Sequence, residues 1–285
     1  MIDRDAKYRT IPKTCITCGQ SFFVTPSDDK RGRGKFCSSN CNRPHATECN
    51  EKFFDVASPE MAWTLGLVFS DGNLSDCRNG HRARLSIKSI DYQLLDTVKR
   101  VSGNEGRIFN AGKTSAHNEI YRLEWSHPQI IASAKRWGIV PRKTLNLTFP
   151  YALPKELWND FIRGLFDGDG CVHLSMDKRR RSSYLRQCCF LGTNDLLRPL
   201  PSHLGLDDRI TPYRAIAKLV YYKVSDLRRI FDAMYHSPNV PCLERKRAKF
   251  EQAISVGIDV PVVVQAFERN GGAVSGYSRI RVYKD

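Results

Sequence analysis

One segment of the sequence occurs twice, and this internal repeat limits the possible folds more than any other feature. MAWTLGLVFSDGNL at 61–74 aligns with DFIRGLFDGDGCV at 160–172 when the first is shifted by 98 positions. In both copies a glycine stands five residues before an Asp-Gly pair, Gly66 before Asp71 and Gly164 before Asp169. Such self-similarity predicts a chain that folds as two related halves.

The segments after the two copies predict the same order of elements. Each half reads as a helix, two strands, a helix, two strands and a last helix, with antiparallel strand pairs. The fold class is therefore α+β, with two pseudo-symmetric αββαββα halves. We expect the first half at 58–150 and the second at 151–256, joined at the proline-containing stretch FPYALPKE, and a C-terminal tail at 257–285.

Small residues on one face of each repeated helix predict how the halves meet. They lie four positions apart, as Gly66 with Ser70 and Gly164 with Gly168. Such a stripe allows two helices to approach more closely than the usual 8–10 Å. Asp71 and Asp169 would then lie side by side at the negative ends of both helices. They would repel each other unless they were protonated or bridged by a hard cation such as Mg²⁺.

The charge of the chain indicates a polyanionic partner. Forty-five Lys and Arg against thirty Asp and Glu give a net charge of +15. Nucleic acid is the leading candidate, and a merely basic protein is the alternative. The sequence contains no run of 18 apolar residues and no signal peptide, so we expect no membrane partner and an intracellular, reducing compartment. A prokaryotic, a phage and an organellar host are equally compatible with it.

Four cysteines near the N-terminus have the spacing of zinc ligands. Cys15 and Cys18 form a C-x2-C pair, and Cys37 and Cys41 form a C-x3-C pair. We expect a zinc ribbon or treble-clef-like module at 1–50, with SFFVT and KF as its two strands. His45 could replace Cys41, Cys49 is a further candidate, and coincidental spacing is the alternative.

The motifs TLGLVFSDG and IRGLFDGDG resemble the two signature helices of single-chain LAGLIDADG homing endonucleases, over about residues 58–255. The resemblance implies that these helices form the central interface and that two antiparallel sheets form a saddle over DNA. It also implies that Asp71 and Asp169 are catalytic, metal-binding acids, one per DNA strand. The first copy departs from the family pattern, because Phe69 stands where the second copy has Asp167.

The same resemblance implies further active-site residues. Lys143 in VPRKT and Lys246 in LERKR occupy matching positions in the two halves and are candidates for polarising water or neutralising the phosphorane. Each could instead contact a phosphate or remain solvated. We assign the Mg²⁺ site (or Mn²⁺ site) to Asp71 and Asp169 together with Ser70 and Gly168.

Alternate residues of the strand pairs are the candidates for DNA contacts, because one face of each sheet would lie on the groove. In the first half these are Arg82, Arg84, Ser86, Lys88, Arg107 and Arg122. In the second half they are His173, Ser175, Arg186, Arg209, Tyr213, Arg214 and Lys223, with Arg179, Arg180 and Arg181 in a basic loop that would follow phosphates.

The function predicted from these features is that of a site-specific double-strand DNA endonuclease. It would be a monomer that uses Mg²⁺ at a long asymmetric target, leaves short 3′ overhangs, and carries one structural Zn²⁺. We expect an intron-encoded or free-standing enzyme of a mobile element or phage. The alternative is a non-cleaving binder of the same fold, either an RNA maturase or a transcription regulator. Retention of both acids and both lysines favours cleavage.

Overall fold

The N-terminal elements form a small hairpin followed by one helical turn. The computed structural model describes residues 11–16, 19–38, 41, 49–75, 83–176 and 184–256. The first two of these ranges contain β1 (Ile11–Thr14), β2 (Ser21–Val24) and the short helix α1 (Pro26–Lys30). The β2 strand pairs antiparallel with β1. The expected pairing of SFFVT with KF is therefore wrong, because the preceding strand is the one in register with it.

The first half contains the expected seven elements. They are α2 (Pro59–Asp71), β3 (Gly72–Ser75), β4 (Arg84–Ser89), α3 (Tyr92–Val101), β5 (Phe109–Lys113), β6 (Glu119–Trp125) and α4 (Pro128–Arg136). Helix α2 begins after Ser58, whose hydroxyl accepts from the Met61 backbone N–H, and Pro59 occupies its first turn. The four strands form an antiparallel sheet in the order β3-β4-β6-β5.

The second half repeats this order, with one helix divided and one added. Its elements are α5 (Trp158–Asp169), β7 (Cys171–Met176), β8 (Tyr184–Gly192), α6 (Asn194–Leu197), α7 (Leu200–Leu204), β9 (Ile210–Tyr213), β10 (Ile216–Tyr221), α8 (Val224–Met234) and α9 (Glu244–Ser255). The second sheet has the equivalent order β7-β8-β10-β9. The middle helix is divided into α6 and α7 around Pro199, since proline lacks the N–H that a continuous helix needs. The predicted fold class is thus confirmed.

Helices α2 and α5 pack backbone to backbone at the centre of the molecule. A Cβ added at Gly164 would overlap the Trp63 carbonyl oxygen and lie 2.9 Å from the Cα of Gly66. A Cβ added at Gly66 would lie 2.7 Å from the Leu165 backbone nitrogen. Because no side chain fits at these two glycines, they set the distance between the halves, and one continuous apolar core surrounds both helices.

The segment at 49–58 connects the N-terminal hairpin to the first half and packs against it. Phe53 and Phe54 are buried in the main core. The Phe54 carbonyl oxygen accepts a 2.7 Å hydrogen bond from Trp137 Nε1, just after α4. The Asp55 carboxylate accepts from Ser133 and, at 2.7 Å, from the Gln129 side-chain amide. This segment therefore fixes the position of α4.

The helices in the described part of the chain are too short or too polar for any of them to cross a membrane.

Candidate active site and nucleic-acid interface

Two carboxylates lie where the central helices end. Asp71 is the last residue of α2 and Asp169 is the last residue of α5, and in both helices an extended glycine follows. A Cβ added at Gly168 would lie 3.2 Å from Asp71 Oδ2, so the last turn of α5 directly contacts the acid of α2. The helix contact that the small residues allow therefore brings the two acids to one place.

Burial disfavours the charged form of both acids, and repulsion from Asp169 adds to this effect at Asp71. Burial, followed by the negative charge of Asp169, raises the pKa of Asp71 to about 6. Burial also raises the pKa of Asp169, while the charges of Lys143 and Lys246 oppose this shift. Two such carboxylates, each partly screened from water, are suited to a hard cation that prefers oxygen ligands.

The two lysines bind the carbonyl groups at the ends of the two helices. Lys143 Nζ donates to the carbonyl oxygens of Phe69 at 2.8 Å and Ser70 at 3.2 Å. Burial lowers the pKa of Lys143 to about 8, against the raising effect of the two acids. Because the last carbonyls of a helix lack intrahelical donors, an ammonium group there satisfies them and offsets the negative end of the dipole.

Lys246 makes the equivalent contacts at the end of α5. Its ammonium donates to the carbonyl oxygens of Phe166 at 2.8 Å, Gly168 at 2.6 Å and Gly170 at 2.7 Å. Burial also lowers the pKa of Lys246. These ammonium groups explain how each helix can end on a carboxylate, although the helix dipole opposes an anion there.

Ser70 and Gly168 contribute backbone groups rather than side chains to the site. The Ser70 hydroxyl donates back into α2, to the carbonyl oxygens of Gly66 and Leu67, both at 3.1 Å. The carbonyl oxygens of Ser70 and Gly168 accept from the two lysines. Since a carbonyl oxygen has two lone pairs, each can accept one further partner.

Asp167 differs from the two terminal acids, because its hydrogen bonds hold neighbouring segments together. Its side chain is buried, and Oδ2 accepts from Trp63 Nε1 at 2.8 Å and from the Leu243 backbone N–H at 3.0 Å. Burial raises the pKa of Asp167 to about 6. In the first half the equivalent Phe69 packs edge-on against Phe161, with ring centroids 5.1 Å apart.

In the first sheet, the face that turns away from the helices carries the predicted basic residues. Leu85 and Ile87 of β4 pair with Trp125 and Leu123 and point into the core. The alternate residues of β4 and β6 therefore point to the open face. The predicted residues there are Arg84, Ser86, Lys88 and Arg122. Arg107 precedes β5, and Arg82 lies outside the described residues.

Glu124 also lies on this open face, opposite Ser86, and was not predicted from the sequence. The alternation in EIYRLEW, two positions beyond Arg122, was the signal that could have identified it.

The second sheet places the predicted residues on both of its faces. His173, Ser175 and Tyr213 lie on the open face. Arg186 does not share this face, because it pairs with Leu174 on the helix-facing side and donates at 2.9 Å to the Val256 carbonyl oxygen beyond α9. A strand shifted by one residue exchanges its two faces, and the sequence does not show that parity.

The remaining predicted residues of this half lie at strand ends. Arg209 precedes β9, and its Nη2 atom lies 3.6 Å from Asp207 Oδ2. Arg214 is in the turn between β9 and β10, and Lys223 precedes α8. Arg179, Arg180 and Arg181 lie outside the described residues. Gln187 and Lys218, which were not predicted, share the open face. Lys218 Nζ lies 5.4 Å from the centre of the Tyr213 ring.

Comparison with known proteins shows similarity in structure alone. The sequence matches no protein-family model and no curated protein sequence. The LAGLIDADG meganuclease I-AabMI, solved bound to uncleaved DNA, aligns over 70% of this chain and 90% of its own, with a TM-score of 0.50 and 15% identity. This chain has the LAGLIDADG meganuclease fold. I-CpaMI, also solved bound to uncleaved DNA, aligns over 70% of this chain and 92% of its own, with a TM-score of 0.48 and 14% identity.

The N-terminal module of this chain brings three cysteines together. The Sγ atoms of Cys15, Cys37 and Cys41 all lie within 4.8 Å of one another, and those of Cys37 and Cys41 are 3.5 Å apart. Sulfurs around one tetrahedral Zn²⁺ would be about 3.8 Å apart, given Zn–S bonds of about 2.3 Å. Cys18 and His45 lie outside the described residues. Cys49 packs against the main core instead of joining this cluster.

Proposed function

We propose that this chain is a site-specific DNA endonuclease that hydrolyses phosphodiester bonds in both strands with a divalent metal. The main support is the position of Asp71 and Asp169 at adjoining helix ends, with Lys143 and Lys246 bound to the same ends. The net charge of +15 suits a polyanionic substrate, and I-AabMI, which has this fold, was solved on uncleaved DNA.

The residues of the site have separate tasks in this proposal. Asp71 and Asp169, with the carbonyl oxygens of Ser70 and Gly168, would hold Mg²⁺ or Mn²⁺. A bound cation of this kind supplies charge stabilisation at the attacking and leaving oxygens of the phosphodiester. Lys143 and Lys246 hold the helix ends that carry the acids and add positive charge beside the scissile phosphates.

The open faces of the two sheets would lie in the DNA grooves. We assign one half-site to residues 58–150 and the other to residues 151–256, so that a single chain would cover the target as a monomer. Because the two faces carry different side chains, the target would be asymmetric. Cleavage on each strand by one acid of the pair would leave short 3′ overhangs.

The decisive experiment uses Asp169→Asn. Cleaved sites are first selected from a randomised duplex library with wild-type protein and Mg²⁺, and their ends are mapped. Asp169→Asn should then retain binding to the selected site but lose double-strand cleavage by at least about 100-fold. Asp195→Asn, which removes an exposed carboxylate on α6, should cleave as the wild type does.

Two outcomes would contradict the endonuclease proposal. The metal-ligand assignment is wrong if Asp169→Asn cuts both strands at the wild-type rate. If wild-type protein binds a specific duplex or a structured RNA but cleaves no DNA with Mg²⁺ or Mn²⁺, the chain is a non-cleaving binder.

We further propose that Cys15, Cys37 and Cys41 bind one structural Zn²⁺, with Cys18 as the fourth ligand. Purified protein should contain about one zinc per chain, and Cys15→Ser combined with Cys37→Ser should lose it. Cys171→Ser is the matched control, since Cys171 is an exposed thiol on the second sheet. Elemental analysis measures the zinc content of the wild type, the double variant and Cys171→Ser. Full retention of zinc by the double variant would refute the site.

A further inference from the structure

A carboxylate lies between two arginines on the open face of the first sheet. Glu124 Oε2 accepts a 3.4 Å hydrogen bond from Arg84 Nη1, and Glu124 Oε1 lies 3.1 Å from Arg122 Nε. These side chains come from β4 and β6, the two central strands of the sheet. The Arg122 guanidinium also lies over the Phe109 ring, 5.7 Å from its centre.

The exposure of the three side chains shows which groups remain accessible. The Glu124 side chain is 17% exposed, whereas those of Arg122 and Arg84 are 34% and 47% exposed. The carboxylate therefore lies below the arginines, accepts a hydrogen bond from Arg84 and forms an ion pair with Arg122. Since a guanidinium carries five N–H donors in a planar fork, each arginine keeps donors for another partner.

A carboxylate on this face is unfavourable for simple attraction to DNA. It lowers the positive charge of a surface that would face phosphates, so non-specific affinity would be higher without it. Glu124 does, however, restrict two arginines that would otherwise be free to turn toward the backbone. Its position is thus better suited to orienting base-reading groups than to increasing affinity.

The second sheet lacks this arrangement at the equivalent positions. Asn73 and Cys171 are equivalent in the repeat, and they pair with Ser86 and Cys189. Ser86 also pairs with Glu124, and Cys189 pairs with Val220. Val220 therefore occupies the position in the second sheet that is equivalent to Glu124. By the same registers Gln187 replaces Arg84, and Lys218 replaces Arg122. The carboxylate and its paired arginines therefore belong to one half alone.

We infer that Glu124 is a specificity-determining residue that holds Arg84 and Arg122 for the recognition of guanines in the half-site beneath the first sheet. This inference rests on the proposed function and adds the base composition of one half-site. Arginine donates two hydrogen bonds to O6 and N7 of guanine, which is the commonest specific contact in the major groove. A restrained guanidinium makes this contact with less loss of freedom than a mobile one.

The test compares two variants that remove the same charge from the same strand. Glu124→Gln acts on the open face. Glu119→Gln acts on the opposite face of β6, where Glu119 accepts from the Tyr121 hydroxyl and lines the cleft beside α3. Binding to the selected duplex, to single-base variants of it and to an unrelated duplex is measured for each protein.

Glu124→Gln should reduce the preference for guanine over other bases by about 5- to 150-fold at the positions beneath the first sheet. Its affinity for the unrelated duplex should rise roughly two- to fivefold, because one negative charge is lost. Glu119→Gln should change neither quantity. Arg84→Ala and Arg122→Ala should each abolish the preference at a different guanine.

The results separate failure of this inference from failure of the proposed function. If wild-type protein selects no duplex at all, the DNA-binding proposal fails. The inference fails alone if wild-type protein selects a site whose first half contains no guanine preference. It also fails if Glu124→Gln keeps the wild-type preference. A loss of preference without the rise in non-specific affinity, together with a lowered melting temperature, would indicate a structural role and overturn it.

Discussion

The two halves present the same acid and the same lysine, yet they hold the lysine-bearing segments in different ways. In the second half a buried arginine of α5 binds the segment that leads to Lys246. Arg163 donates to the carbonyl oxygens of Met234 at 2.8 Å and Pro241 at 2.9 Å, and to Asp160 at 2.7 Å. None of this network depends on residues outside the second half.

The first half has an apolar residue at the equivalent place, since Leu65 stands where α5 has Arg163. The segment that leads to Lys143 is instead supported from outside, by the connection at 49–58. Asp55 binds Gln129, Ser133 and Arg136 of α4, and the Phe54 carbonyl binds Trp137. The two halves therefore place an acid and a lysine in the same way, with a buried ionic support in one half and a surface support in the other.

The largest difference is expected when one arginine is removed from each support. Arg163→Met leaves the buried Asp160 without its main cation and should lower the free energy of unfolding by about 3–5 kcal/mol. Arg136→Met removes an exposed guanidinium and should cost about 1 kcal/mol or less. Urea unfolding of both variants measures the difference. An equal loss in the free energy of unfolding would show that the buried support is no stronger than the surface support.

A second prediction concerns the pH dependence of stability that Asp71 and Asp167 share. The pKa values of Asp71 and Asp167 are both raised to about 6 in the folded chain, from 3.8. The folded state therefore binds more protons between these values, and metal-free stability should fall as the pH rises from about 4 to 6. In Asp71→Asn and in Asp167→Asn, the decrease in the free energy of unfolding over this pH range should be smaller by about 1–3 kcal/mol.

Calcium distinguishes the two acids. At pH 7.5, saturating Ca²⁺ should stabilise the wild type and Asp167→Asn, because ligand binding favours the folded state, but should not stabilise Asp71→Asn. Urea titrations with and without Ca²⁺ provide the measurement. Equal stabilisation of both variants would place the cation away from Asp71.

A small effect is also expected when the shared acceptor of the surface support in the first half is removed. Asp55→Ala removes the acceptor shared by α4 side chains and should lower the free energy of unfolding by about 1–2 kcal/mol. Amide hydrogen exchange should increase in α4 while α8 stays unchanged. Increased exchange in both helices would show that the halves are not supported independently.

The faces of the sheets show where sequence reasoning reached its limit. The first sheet was predicted with the correct parity, so Arg84, Ser86, Lys88 and Arg122 share a face. In the second sheet Arg186 lies on the opposite face from His173. Basic residues occur on both sides of a strand in so basic a chain, and only the register with a partner strand assigns each to a face.

Local spacing and repetition were enough to predict part of the fold. The glycine and Asp-Gly positions, repeated after 98 residues, predicted two equivalent halves, their element order and their contact through small residues. Contacts between segments that are distant in the chain could be identified only in the folded molecule. Asp167 binds Trp63 and Leu243, and Glu124 meets Arg84 across two strands, because only packing brings residues far apart in the chain within hydrogen-bond distance.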